Sequence, residues 1–313
     1  MENKRSEIIF LYDVKYCNPN GDPMDANRPR IDEETGKCLV TDVRLKRTIR
    51  DYLFENGYNG VEGSKGDIFV RDEDGKSVTG TQRAKSYKDI DEFKSKFIDV
   101  RLFGGVSAPK AGKTDAKAKQ KKDEEEIEEV KVETKKTFNL TGPVQFGMGV
   151  TLNKVKLNFI KGTGAFTTSE TAIQKTFREE YNITYGLVGF HGVINENAGK
   201  HTGLKDEDIS ALLDAMWKGT KNLLTRSKKG HMPRLLVKID YKEPNYFIGD
   251  LIERLNMIPN DGVKEGELID VGDYKLDTSK LNETLQKYSS KIDKISLINI
   301  DERIQLTEDI LKI

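Results

Sequence analysis

From Glu7 to Val14 the run EIIFLYDV is dominated by residues that suit a pleated backbone, which predicts a strand. It ends in CNPNGDPMDANRPR, residues 17–30, where Pro, Gly, Asn and Asp impose a long polar loop. Between Asp42 and Leu53 the apolar Leu45, Ile49, Tyr52 and Leu53 recur at helical spacing, while Lys46, Arg47 and Arg50 fall on the other side. That pattern is an amphipathic helix with a cationic back. Strict alternation from Val144 to Leu152 puts Val144, Phe146, Met148, Val150 and Leu152 on one face of a strand. The opposite face, Gln145, Gly147, Gly149 and Thr151, is nearly bare backbone and admits close approach of a helix, a chain or a ligand. A glycine-interrupted strand follows over Ile183–Ile194. Ile209, Leu212, Leu213, Met216 and Trp217 then mark a second amphipathic helix behind the acidic Asp206-Glu207-Asp208, and Leu235, Val237, Ile239 and Tyr241 alternate as a strand.

Strand, helix, strand, strand, helix, strand is the order of an α+β split βαβ unit, ferredoxin-like or RRM-like, here spanning residues 1–53 and 143–242. Two insertions decorate it, residues 54–142 and residues 153–182, the second at the tip of the middle hairpin. Connections of that length in a compact domain are functional or disordered. Residues 107–137 run from a lysine-rich block into an acidic one with almost no apolar content, the pattern of a solvated, mobile segment or of a basic flap that orders on nucleic acid or on a neighbour. Residues 243–313 read as a C-terminal packing or lid region, with Leu281, Leu285 and Tyr288 at helical spacing.

The chain has 313 residues, enough for one elaborated domain or two smaller ones. Its 52 Lys plus Arg cancel 52 Asp plus Glu, so any polyanion site must come from local clusters and not from a global basic field. Two cysteines, Cys17 and Cys38, cannot build a disulfide framework, and neither a secretory segment nor a membrane-length apolar run is present, so the cytoplasm is expected. His191, His201 and His231 are far apart and lack ligand spacing, so no metal and no cofactor is expected. Gly112-Lys113-Thr114 imitates the end of a phosphate loop, but Ser107 stands where that loop needs glycine.

Three clusters suit a nucleic-acid backbone. The first joins the loop residues Asn18, Asn20, Arg28 and Arg30 to Arg44, Lys46, Arg47 and Arg50 of the helix, because guanidinium forks match phosphate oxygens and lysine supplies a point charge. The second is TRSKKGHMPR, residues 225–234, with Arg226, Lys228, Lys229 and Arg234 as cations and Thr225 and Ser227 as hydroxyl donors. The third is DVRLFGG, residues 99–105, where Gly104 and Gly105 free the backbone for a ligand and Phe103 offers a stacking face or a core residue. A catalytic alternative uses Asp22, Asp25 and Asp32 to hold a metal for phosphodiester cleavage. Turn formation and arginine pairing explain those carboxylates equally well.

These segments, namely NPNGDPMDANRPRIDEETGKCLVTDVRLKRTIRDYL, DVRLFGG, TGPVQFG, YGLVGFHGVINENAG and TRSKKGHMPRLLV, occur in order over residues 5–242. Together they resemble the CRISPR-associated backbone subunit of type I Cascade effector complexes, most closely the I-B (Csh-type) branch of the repeat-associated mysterious protein superfamily. The resemblance implies a hand-shaped protein: an RRM-like palm, fingers and web from the larger insertion, and a thumb from the hairpin extension. It implies a non-catalytic subunit that polymerises head to tail along the guide RNA beside other Cascade subunits and presents the guide for pairing with target DNA. By resemblance, Lys46, Arg47 and Arg50 contact the guide backbone with Thr41 at the helix entry, Asn20, Arg28 and Arg30 assist, and Phe166 is a thumb wedge between bases. The family's thumb base is often basic, whereas this chain has Arg178-Glu179-Glu180. The alternative function is a metal-dependent endoribonuclease using the first-loop carboxylates; related type III subunits cut target RNA with an aspartate of that loop, whereas type I relatives bind without cutting, so the resemblance assigns Asp22 and Asp25 no catalytic role.

Overall fold

The structure is a computed structural model that describes residues 4–312 except 74, 75, 77, 79, 85, 86, 88, 108–137 and 168–174. The lysine-rich and acidic blocks therefore lie outside the described residues, save for their first residue. Strand β1 (Ser6–Cys17) leads through two short strands, β2 (Gly21–Asp22) and β3 (Arg28–Pro29), and through β4 (Leu39–Val40) into helix α1 (Asp42–Glu55). The larger insertion holds α2 (Gly80–Ala84), α3 (Ile90–Lys96), α4 (Ile98–Phe103), β5 (Gly104–Ser107) and β6 (Phe138–Thr141). Then come β7 (Val144–Phe146), β8 (Gly149–Thr151), β9 (Leu157–Thr167), the long β10 (Lys175–Ile194), α5 (Glu196–Thr202), α6 (Asp206–Lys221) and β11 (His231–Tyr241). The C-terminal region adds β12 (Asn256–Pro259), β13 (Tyr274–Asp277), α7 (Ser279–Lys287) and β14 (Ile292–Ile300).

The main sheet is antiparallel and runs β14-β11-β1-β10-β8-β4, with β7 and β9 also paired to β10. β10 has two halves. Its inner half pairs with β1 from Ile183 to Ile194, and its outer half pairs with β9 from Lys175 to Ile183, so that a long hairpin continues out of the sheet.

β1 is buried on both faces, which is why its sequence reads as a continuous apolar run. Ile8, Phe10, Tyr12 and Val14 pack against Leu45 and Ile49 of α1 and Leu212 and Met216 of α6. Ile9 and Leu11 face the other way, into a second core built with Leu251, Leu255, Tyr274, Leu276, Leu281 and Leu285. The C-terminal region thus covers the sheet face opposite the helices. Aromatic rings of Phe69, Phe93 and Phe97 form a small separate core in the larger insertion.

The alternation over residues 144–152 does not form one strand. Phe146 faces Gly192 while Val150 faces Gly189, a register shift of one residue that places a bulge at Gly147-Met148. A slip of one residue exchanges the two faces. Met148 is therefore exposed and Thr151 fully buried, the reverse of the alternation. Thr151 Oγ accepts from the Cys38 amide at 2.9 Å and donates to the Asn153 carbonyl at 2.7 Å, so its burial leaves no open polar group. The bare glycine face is filled from within: a Cβ on Gly149 would lie 2.4 Å from the Phe190 ring.

Replacing Leu276 by Ala in the fully buried C-terminal core should cost about 2–5 kcal/mol of stability in urea denaturation. Replacing Val43 by Ala on the exposed side of α1 should change it by less than about 0.5 kcal/mol.

Candidate nucleic-acid interface

Three segments distant in sequence meet around a cavity of about 360 Å³: Tyr16–Asn18 with Ala26 and Asn27, Glu179–Asn182 at the base of the hairpin, and Thr225–Ser227 after α6. The end of β1 and the loop after α6 touch closely. The Lys15 amide donates to the Gly230 carbonyl at 3.1 Å, and a Cβ on Gly230 would sit 2.2 Å from the Lys15 carbonyl oxygen, so only glycine fits there. The first loop is fixed from within. Asn18 is 3% exposed and its amide side chain donates to the Asn27 carbonyl at 2.6 Å.

Lys228 pins the loop from below. Its half-buried ammonium donates to the carbonyls of Asn18 and Pro19, the latter at 2.9 Å. Burial, aided by the nearby Arg44 guanidinium, draws its pKa down to about 8. Beneath it His231 is 2% exposed, with its ring edge-on to Tyr12 at 5.6 Å and neither ring nitrogen partnered among the described residues. Burial first, then the charges of Lys228 and Arg44, hold its pKa well below the usual histidine range. Lys228 is thus placed as an anchor of the loop, with its amine turned to backbone oxygens.

Asn20 couples the first loop to α1. Its side-chain oxygen accepts from both the amide and the hydroxyl of Thr41, each at 2.9 Å, and Thr41 in turn caps the helix by accepting from the Arg44 amide at 3.2 Å. Arg44 donates to the Thr48 hydroxyl at 3.0 Å.

The other residues of the first cluster sit at a second place, the seam between α1 and the larger insertion. Lys46 and Arg50 lie over the Phe103 ring at 5.5 and 5.2 Å. Arg50 also bonds the buried Asp99 at 2.9 Å, and that carboxylate accepts from the amides of Phe69 and Val70. Arg47 is the outlying cation, 56% exposed and paired with Asp51 at 2.6 Å. Gly104, with φ +76°, is required by the chain itself, since a Cβ there would lie 2.1 Å from the Leu140 carbonyl oxygen; Gly105 pairs with Leu140 in the β5–β6 ladder.

Charges near the cavity are likewise matched. Arg30 faces Asp22 at 3.5 Å, Arg28 faces Asp25 at 3.7 Å, and Arg226 makes a two-pronged bond to Glu180. Arg234 is withdrawn from its loop altogether: it is buried against Asp13 at 2.8 Å and also bonds Asp301. Asp22 accepts from the Met24 amide, and Asp32 closes a turn by accepting from the Thr35 hydroxyl at 2.6 Å and the Glu34 amide, contacts that hold the Asp32 carboxyl below its usual range. Among the described residues no group of three or more His, Cys, Asp or Glu is placed to hold a metal ion.

The sequence reading missed the aromatic side of the site. The Arg28 guanidinium lies over the Tyr181 ring at 5.2 Å, and Tyr181 stacks on its cross-strand partner Phe159 at 4.8 Å, with Lys161 over that ring at 5.3 Å. No local signal joins residues 159 and 181; the hairpin register does. Phe166 belongs to the outer part of β9, and its side chain lies outside the described residues.

The model of the family described as CRISPR-associated protein Cas7 matches residues 4–279. The chain belongs to this family. A CRISPR-associated protein Cas7 of Haloferax volcanii is 34% identical over 320 aligned positions, covering 96% of this chain and 88% of the relative. In fold the chain is similar to a chain of a solved CRISPR RNA-guided surveillance complex in a pre-nicking state, with a TM-score of 0.51 and 11% identity over 97% of this chain and 96% of the other. No helix among the described residues is long and apolar enough to cross a membrane.

The buried histidine gives a pH prediction. In the unfolded chain His231 takes up a proton near pH 6.5, but in the folded protein it does so only at much lower pH. As pH falls below about 6.5 the unfolded state binds the extra proton, and stability drops until the folded-state pKa is passed. His231→Phe, which keeps a ring beside Tyr12, should reduce the difference in urea midpoint between pH 7 and pH 5.

Proposed function

We propose that this chain is a guide-RNA-binding backbone subunit that polymerises head to tail along the CRISPR RNA spacer of a type I interference complex in the cytoplasm. Other Cascade subunits complete the complex, and the guide is presented for pairing with target DNA. The observation that carries this reading is the convergence of the first loop, the hairpin base and the loop after α6 on one cleft bearing arginine forks, hydroxyls and an aromatic ladder. Those groups suit phosphate, sugar and base faces without a base-edge code, and the pairing of guide with target supplies sequence specificity.

Family membership supports a non-catalytic role, as does the engagement of Asp22 and Asp25 with arginines. The order β11-β1-β10-β8 has the strand arrangement of a ferredoxin-like unit, which supports assigning residues 1–53 and 143–242 as the palm. Residues 54–142 are then the finger and web, 153–182 the thumb, and 243–313 the covering region of the sheet. The I-B placement rests on the sequence motifs.

Protein purified from a host that supplies a guide precursor should carry RNA of defined length with regularly spaced nuclease protection. An RNA-free monomer that cleaves added RNA with magnesium would overturn the reading. Lys46→Ala with Arg47→Ala should weaken binding alike for unrelated single strands in fluorescence anisotropy. The slope of log affinity against log salt should fall by about 0.7 for each cation that touches phosphate. Unchanged binding removes α1 from the interface.

A further inference from the structure

Arg226 and Glu180 face each other across the cleft. Two guanidinium nitrogens of Arg226 donate to the two carboxylate oxygens of Glu180, at 3.1 and 3.2 Å. The residues come from different walls: Glu180 from β10 at the base of the hairpin, Arg226 from the loop after α6. The arginine side chain is 64% exposed and the glutamate side chain 26% exposed, so Arg226 has room to turn to a ligand while Glu180 stays in the wall. A two-pronged guanidinium–carboxylate contact uses the same donors, in the same plane, as a guanidinium–phosphate contact. Carboxylate and phosphate therefore compete for one fork.

We infer that Glu180 is a specificity-determining residue of this cleft: it occupies the Arg226 fork until a phosphodiester displaces it. The inference rests on the reading of the cleft as the RNA site. A ligand must exchange an ion pair at Arg226 and cannot simply fill a vacant cationic site. A short polyanion that reaches only Arg226 gains little from that exchange. A strand that also meets Arg28 and the hydroxyls of Thr225 and Ser227 gains enough elsewhere to drive it.

The test uses the full chain with Glu180→Gln, Arg226→Ala and the double substitution, titrated with a mixed-sequence single-stranded RNA and with tripolyphosphate over a range of salt. Glu180→Gln should tighten RNA binding roughly two- to fivefold at low salt, the scale of an exposed ion pair, with the gain shrinking as salt rises. Its gain for tripolyphosphate should be at least as large, and the double substitution should behave like Arg226→Ala, which weakens RNA binding. Glu180→Ala should reproduce the gain if the glutamine variant is unstable. No gain, a gain that persists without Arg226, or a gain confined to RNA overturns the inference while leaving the RNA site standing. RNA affinity indifferent to Arg226→Ala, or no RNA binding by any variant, overturns both the inference and the reading of the cleft.

Discussion

Strand β1 has no face left for solvent, and the rest of the fold is arranged around that constraint. Its even-numbered residues from Ile8 to Val14 need the two helices, and Ile9 and Leu11 need the C-terminal region. A strand buried on both sides can carry polar groups only where each is satisfied. Glu7 accepts from the amides of Ile248 and Gly249 at 2.9 Å, and from Tyr241; it also bonds His191 at 2.6 Å. Burial raises its pKa, but these contacts outweigh that and keep it below the usual carboxylate range. Asp13 pairs with Arg234 and accepts from the Tyr185 hydroxyl, yet burial dominates and raises its pKa. These two carboxylates tie the covering region and β11 to the central strand.

The same constraint leaves the rim of the sheet as the open part around β1. With the sheet covered by helices on one side and residues 243–313 on the other, no open sheet face remains at β1 to stack bases. What remains is the end of β1, where Tyr16, with φ +48°, interrupts the ladder just before Cys17 and the chain enters the polar loop. The hairpin base and the loop after α6 close on that point. Cleft geometry therefore follows from the core, and the half-buried Lys228 and the buried His231 are the struts between them.

Cations at this rim are nearly all matched with acids of the same chain, in keeping with a formal net charge of zero. Exposed pairs of this kind contribute little to stability, commonly below about 1 kcal/mol. Buried pairs such as Arg50–Asp99 and Arg101–Asp208 are different in kind. Breaking one would strand a charge in the interior, so they fasten the larger insertion to α1 and α6.

Residue type and apolar spacing located β1, α1, the inner half of β10, α6 and β11, because apolar spacing reports directly on which side of an element is covered. Local pattern failed at residues 144–152, where a single bulge reversed the faces of Met148 and Thr151; such a bulge depends on what the partner strand offers, here Gly189 and Gly192. Residue type likewise marked Arg28, Arg226 and Arg47 as cations beside loops and on a helix. Tertiary structure decided which of them is available. Arg234 is drawn into the core by Asp13, 221 positions away in sequence, and Arg226 is held by Glu180, 46 positions away, across a hairpin register that no window of sequence contains. A charge is legible in the sequence; its partner arrives only when the chain folds.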